Sequence, residues 1–161
     1  MSIRIKKILC PTDFSENSEH ALKYALALAT LSQADLQLFH VVEPITYPQS
    51  TEFFEPVLDE VELMMKMEAA FQQQLEDQVT TLKVEYPKIS GKRVTGTTFL
   101  EIIQAARDDD VEMIVMGTHG RTGLAHVLIG SVAERVVRVA PCPVLTVKTR
   151  STNSSNPERV V

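Results

Sequence analysis

Cysteine is scarce in this chain, and the two present, Cys10 and Cys142, form no CxxC pair and no metal-binding pattern. A disulfide framework and a zinc cluster are therefore excluded as organising principles. Each cysteine adjoins proline at the edge of an apolar run and reads as a small buried hydrophobe. The four histidines, His20, His40, His119 and His126, show no spacing of the HExxH kind, so no metal site of protein side chains is expected. Basic residues are also in deficit. The net charge of −5 argues against nonspecific nucleic-acid binding, which needs a basic surface. No apolar run approaches the roughly 18–20 residues that cross a bilayer, so no membrane contact is expected. The start, Met-Ser-Ile-Arg-Ile-Lys-Lys, lacks the apolar core of a signal peptide, and a cytoplasmic location is the expectation. Both common phosphate fingerprints are missing as well. No G-x-G-x-x-G follows the first apolar run, and G-x4-G-K-[ST] occurs nowhere.

What remains is a soluble-type composition, with 161 residues, 44% hydrophobic and 23% charged, enough for one domain with a sizeable core. Apolar runs rich in β-branched residues alternate with helical periodicity. Ile3 to Cys10 predicts a first strand, ended by Pro11. Ser15 caps a helix through Leu31 whose stripe is Ala21, Leu22, Ala25, Leu26 and Ala29. Asp35 to Val42 predicts strand two, and Pro44, Pro48 and Pro56 mark a loop over 44–56.

A long helix follows from about Leu58 to Tyr86, with Val61, Met64, Phe71, Leu75, Val79, Leu82 and Tyr86 at core-facing steps and its methionines filling core gaps. Ile89 to Thr95 predicts strand three. Thr98 with Glu101 suggests a capping box for a helix that turns Phe99, Ile102, Ile103 and Ala106 inward. Asp108, Asp109 and Asp110 would oppose the dipole at a helix end, so they belong to the next loop as solvated charges. Met113 to Met116 predicts strand four, Ser131 to Ala140 a helix, and Pro143 to Val147 strand five. Residues 149–161, rich in serine and asparagine, predict a flexible tail on a single domain of residues 1–148.

Strands alternating with helices predict an open five-stranded parallel sheet covered by helices on both faces, of Rossmann-like type. Ligands on such sheets sit beyond the carboxyl ends of the strands, where strand order reverses. Pro11-Thr12-Asp13, the end of strand two at Val41, and the loop after strand four all fall at that edge.

The stretch from Gly117 to Ser131 carries the most chemistry. It runs strand, glycine-rich loop, helix start, and its spacing is G-x2-G-x9-G followed by serine. Gly117, Gly120 and Gly130 allow positive φ and close backbone approach to a ligand. A helix opening at Ser131 offers unpaired N–H groups and a positive dipole end to an anion. A bound phosphate is implied, hence a nucleotide. Arg121 offers a fork of donors to phosphate or is a solvated loop residue. His119 contacts the ligand or caps a backbone carbonyl. Asp13 accepts hydrogen bonds from base or ribose, or forms a local Asx turn before the helix. Val41 gives a flat ring an apolar wall and is equally a core strand residue.

Pro11-Thr12-Asp13-Phe14-Ser15, His40-Val41-Val42, Val115-Met116-Gly117-Thr118-His119-Gly120, Gly130-Ser131-Val132-Ala133 and Ala140-Pro141-Cys142-Pro143-Val144-Leu145 together resemble the universal stress protein family, over residues 3 to 148. The resemblance implies an open sheet of strand order 3-2-1-4-5, like that of adenine nucleotide alpha-hydrolase-like domains. It also implies a homodimer, here through the edge strand 143–147. The complete G-x2-G-x9-G-[ST] pattern is similar to that of the family's ATP-binding members. By this likeness Pro11, Thr12 and Asp13 hold adenosine, Val41 and Met116 flank the base, and Gly117, His119, Gly120, Arg121, Gly130, Ser131 and Val132 surround ribose and phosphates. AMP or ADP fits the same places, and Mg²⁺ would be held by phosphate oxygens and water. The implied role is regulatory, in the stress response. Slow ATP hydrolysis and a nucleotide-independent dimeric interaction protein are the alternatives. The acid-free opening Thr97-Thr98-Phe99 and the polar tail depart from the family pattern.

Overall fold

The structure is a computed structural model and describes residues 4–44, 58–120 and 129–149. Five strands and four helices alternate along the chain. They are β1 (Lys7–Pro11), α1 (Glu16–Ser32), β2 (Asp35–Val42), α2 (Leu58–Lys83), β3 (Ile89–Thr95), α3 (Thr98–Asp108), β4 (Met113–Gly117), α4 (Ser131–Val139) and β5 (Val144–Val147). All strand pairs are parallel, and the sheet order is β3-β2-β1-β4-β5. The expected fold and strand order are therefore observed. The order reverses at β1, which opens a crevice between the carboxyl ends of β2 and β4.

Alternation along the strands divides the core in two. Ile8, Cys10, Leu36, Leu38 and Val115 face α1 and α2, while Leu9, Phe39, Ile114 and Met116 face α3 and α4. Ala21, Ala25 and Ala29 are fully buried, and their small side chains let α1 lie close on the sheet. Ile102, Ile103, Ala106 and Val136 seal the other face. Arg135 lies over the Phe99 ring at 4.9 Å and pins α4 to α3.

Several local expectations need correction. β1 starts at Lys7, not near Ile3; just before it the Lys6 N–H donates to the Glu112 carboxylate, and the Lys6 carbonyl accepts from Asp35. The long helix stops at Lys83, and Tyr86 lies beyond it, buried, its one hydroxyl proton shared between the Ala29 and Ala34 carbonyls. Two of the three methionines of α2 do not fill the core: Met65 is 67% exposed and Met67 49%, while Met64 is half-buried and Leu75 and Val79 are buried. Length explains this. Twenty-six helical residues span about 39 Å, against about 23 Å for the seven of β3, so the amino-terminal part of α2 overruns the sheet.

The aspartate run is not simply solvated. Asp108 closes α3, Asp110 takes a left-handed φ of 51°, and Asp109 meets the Lys92 ammonium at 3.1 Å. That hydrogen bond holds the Asp109 carboxyl below its usual range and ties β3 to the end of α3. Cys10 is the buried hydrophobe expected, and burial pushes its thiol up to about 12. The proline-rich loop and the tail beyond Thr149 lie outside the described residues.

Candidate functional site

The carboxyl edge of β1 is built by hydrogen bonds among neighbouring side chains. Thr12 is buried; its N–H donates to the Phe39 carbonyl at 2.8 Å, and its Oγ1 accepts from the Phe14 N–H at 3.1 Å. The Thr12 carbonyl accepts from His40 Nδ1 at 2.8 Å, which assigns the proton to that ring nitrogen. The His40 ring packs against Phe14, with centroids 4.7 Å apart, and against Phe71 of α2 at 5.4 Å. These contacts hold Phe14 at φ 60°, a strained conformation for a bulky residue.

Asp13 makes the local Asx turn: its Oδ1 accepts from the Ser15 N–H at 3.1 Å and from the Ser15 hydroxyl at 2.6 Å. Ser15 in turn caps α1 through the Ser18 N–H, as expected. The Asx turn does not remove Asp13 from the cleft, because its Oδ2 lies where a Cβ on Gly120 would come within 2.7 Å. The Asx turn expected of Asp13 is therefore formed while its carboxylate still lines the cleft.

The edge beyond β4 is shaped by missing side chains. None of the described glycines has positive φ, so the conformational reason first given for Gly117, Gly120 and Gly130 is corrected. Their reason is close approach. A Cβ on Gly117 would sit 3.1 Å from the Asn17 carbonyl oxygen, and one on Gly130 would sit 3.1 Å from that of Thr118. The Gly130 N–H donates to the same Thr118 carbonyl at 2.7 Å, which pins the two ends of the glycine loop together. His119 Nδ1 lies 3.0 Å from Thr118 Oγ1.

Three helices begin at this edge, each ended differently. α1 is capped by its own Ser15. The expected capping box of α3 is not formed: the N-cap is Thr97, without a side-chain cap bond, and Thr98 follows it. The Thr98 N–H and hydroxyl instead donate to Glu43 Oε1, at 3.1 and 2.6 Å, so the cap comes from the end of β2. These bonds hold the Glu43 carboxyl below its usual range. α4 starts from Gly130, which has no side chain of its own to cap it, and among the described residues no other side chain bonds to its first N–H groups. Its first N–H groups face the cleft, where the dipole favours an anion.

The cleft between these ends has a volume of about 270 Å³, close to the lower end of the ~300–1,000 Å³ usual for small-ligand sites. Pro11, Thr12, Asp13 and Val41 line one side. Met116, Gly117, His119 and Gly120 line the other, with Gly130, Ser131 and Val132 closing the α4 end. The structure thus gathers eleven of the twelve expected positions into one cleft, and Arg121 lies outside the described residues. Phe39 and Ile102 extend the apolar wall of Val41 and Met116. Glu43 and Thr98 were not anticipated in the cleft. The signal for Glu43 was available: 39, 41 and 43 share one face of β2, so a residue two beyond Val41 reaches the rim.

A doubly wound parallel sheet with a crevice at its switch point, glycine-edged and facing a helix start, defines the class of α/β proteins that take small ligands there. Comparison with known proteins narrows the class. Residues 4–148 match the model of the universal stress protein family. A universal stress protein of Methanocaldococcus jannaschii is 35% identical, with 94% of this chain and 99% of that protein covered. A second, from Coxiella burnetii, is 32% identical over 88% of this chain and 95% of its own length. Among solved structures, a universal stress protein from Lactobacillus plantarum superposes with a TM-score of 0.78 at 26% identity, covering 91% of this chain and 99% of its own. The chain belongs to the universal stress protein family. Two proteins sharing its fold have been crystallised with nucleotides. One universal stress protein was solved in complex with cAMP (TM-score 0.64, 21% identity, 91% of this chain and 98% of that one). An Arabidopsis thaliana family protein was solved with AMP bound (TM-score 0.63, 19% identity, 94% and 97%).

Proposed function

We propose that the cleft binds an adenine nucleotide, with ATP among its ligands, and that the bound state serves as a regulatory signal in the stress response. One observation carries this reading. Phe39, Val41, Ile102 and Met116 form an apolar lining that meets a glycine edge and the start of α4, which no described side chain caps, within one crevice. A flat base suits the apolar lining, and a phosphate suits backbone N–H groups at a helix start. The complete G-x2-G-x9-G-[ST] spacing and the AMP and cAMP complexes of proteins with this fold point to adenine. In this reading Pro11, Thr12 and Asp13 face the nucleoside, and Gly117 to Arg121 with Gly130 to Val132 face ribose and phosphates. Mg²⁺, when it enters, is held by phosphate oxygens and water.

Isothermal titration with ATP, ADP, AMP and cAMP tests the proposal. Saturable binding of at least one is expected, and absence of heat with all four refutes it. ATP held at stoichiometric amounts should stay uncleaved for hours, since regulation needs occupancy rather than turnover; steady phosphate release would instead make the protein an ATPase. An unchanged thermal midpoint in saturating nucleotide would favour a nucleotide-independent interaction protein, because a ligand that binds only the folded state must raise stability.

The same reading includes a homodimer through the edge strand 143–147. β5 ends the sheet, and Leu145, Val137 and Val139 beside it expose large apolar side chains. Such an edge invites pairing with its two-fold copy. A light-scattering mass of twice 17.9 kDa is expected at micromolar concentration; a mass of one chain would remove the dimer. A cytoplasmic setting accords with these roles, and no helix among the described residues is long and apolar enough to cross a membrane.

A further inference from the structure

The described lining of the cleft contains two carboxylates, Asp13 and Glu43, and neither lysine nor arginine. The two acids are placed differently. Asp13 is engaged in the turn before α1, with its Oδ2 beside Gly120. Glu43 stands on the β2 rim, its Oε1 on Thr98 at the start of α3. Across the crevice, two strand spacings or about 10 Å away, lies the α4 start that suits a phosphate. Glu43 thus makes the β2 rim negative, Asp13 carries a second negative charge beside Gly120, and the α4 start offers a positive dipole end.

We infer that Glu43 is a specificity-determining residue: it occupies the α3 start with the protein's own carboxylate, directs the phosphate tail to α4, and selects against ligands in proportion to their negative charge. The inference rests on the proposed nucleotide site and adds to it a rule for choosing among adenine nucleotides. The hydrogen bonds from Thr98 lower the Glu43 carboxyl, so the charge is present at neutral pH. Because those bonds involve a backbone N–H and a hydroxyl, they fix the carboxylate without neutralising it. A charge about 10 Å from a tail of about four negative charges weakens binding by about three- to tenfold at low ionic strength, and salt screens the effect within a similar distance.

The test is a charge series. Adenosine, AMP and ATP are titrated in magnesium-free buffer into the wild type and Glu43→Gln, which keeps an acceptor for Thr98 and removes the charge. The ratio of variant to wild-type affinity should be smallest for adenosine and rise through AMP to about three- to tenfold for ATP. In about 0.5 M salt the three ratios should converge. A ratio equal for all three ligands, or insensitive to salt, would overturn the inference and leave Glu43 as a helix cap alone. Weaker binding of all three by the variant would overturn it too, since Glu43 would then be a direct contact. Those outcomes leave the nucleotide site standing. A wild type that binds none of the three removes the site and this inference with it.

Discussion

The two edges that flank the crevice solve the same problem by opposite means. The β1 edge, Pro11 to Ser18, is held by side chains: Thr12, Asp13, Ser15 and Ser18 bond to one another and to nearby backbone, and His40 fixes the Thr12 carbonyl. The β4 edge is shaped, at Gly117 and Gly130, by their absence, with these glycines pressed against the Asn17 and Thr118 carbonyls. A wall made of side-chain hydrogen bonds is rigid and presents fixed acceptors. A wall made of bare backbone leaves room for a ligand to come close and be met by N–H groups. The cleft needs both, one to position a base and sugar and the other to take a phosphate.

The largest expected contrast concerns the stiffness of the β1 side. Cys10 ends the buried part of β1, and its thiol, pushed up to about 12, should react with a thiol reagent about a thousandfold more slowly in the folded protein than in the denatured chain. Labelling at the denatured rate in native buffer would mean that this edge opens freely. The next effect is on the β4 side. Gly120→Val brings a branched side chain to where Asp13 Oδ2 lies 2.7 Å from a Cβ, so nucleotide affinity should fall by about tenfold or more, roughly 1.4 kcal/mol. Chemical denaturation should change less, because Asp13 is held through Oδ1 and its Oδ2 can swing aside; a large stability loss with intact affinity would reverse the assignment.

His40→Phe should produce the opposite pattern. It keeps a ring between Phe14 and Phe71 but strands the Thr12 carbonyl, at a cost of about 1–3 kcal/mol in urea unfolding. An unchanged midpoint would show that the β1 edge does not depend on this bond. The smallest effect is in pH. The folded-state carboxyl of Glu43 is depressed, so its contribution is present above the unfolded value and lost as pH falls through the folded one. Because the group is exposed, the wild type should lose only a few tenths of a kcal/mol relative to Glu43→Gln below about pH 4. A loss of several kcal/mol would mean that the rim is far more buried than the structure shows.

How legible the two edges were in the sequence also differs. The β4 edge could be read directly, since Gly117, Gly120, Gly130 and Ser131 form a local pattern between a strand and a helix. Even so, their physical reason was mistaken: close packing against Asn17 and Thr118, and not positive φ, demands glycine. The β1 edge was legible only in its local part, the Asp13 turn and the Ser15 cap. The bond from His40 to Thr12 links residues 28 apart, and Phe71 joins them from another helix. No periodicity announces such contacts. The same holds for Glu43, whose partner Thr98 lies 55 residues away, and for the overrun of the sheet by α2, which leaves Met65 and Met67 exposed.

The sequence by itself determined the alternation of strands and helices, the parallel sheet and the edge at which a ligand would bind. Those follow from periodicity, turn residues and the handedness of crossovers, all of which act over short spans of chain. Tertiary structure alone decided which helix starts are filled and which is open, and hence where the charge of the cleft lies. That depends on side chains far apart in sequence meeting across the sheet, and their meeting is set by packing rather than by any local preference.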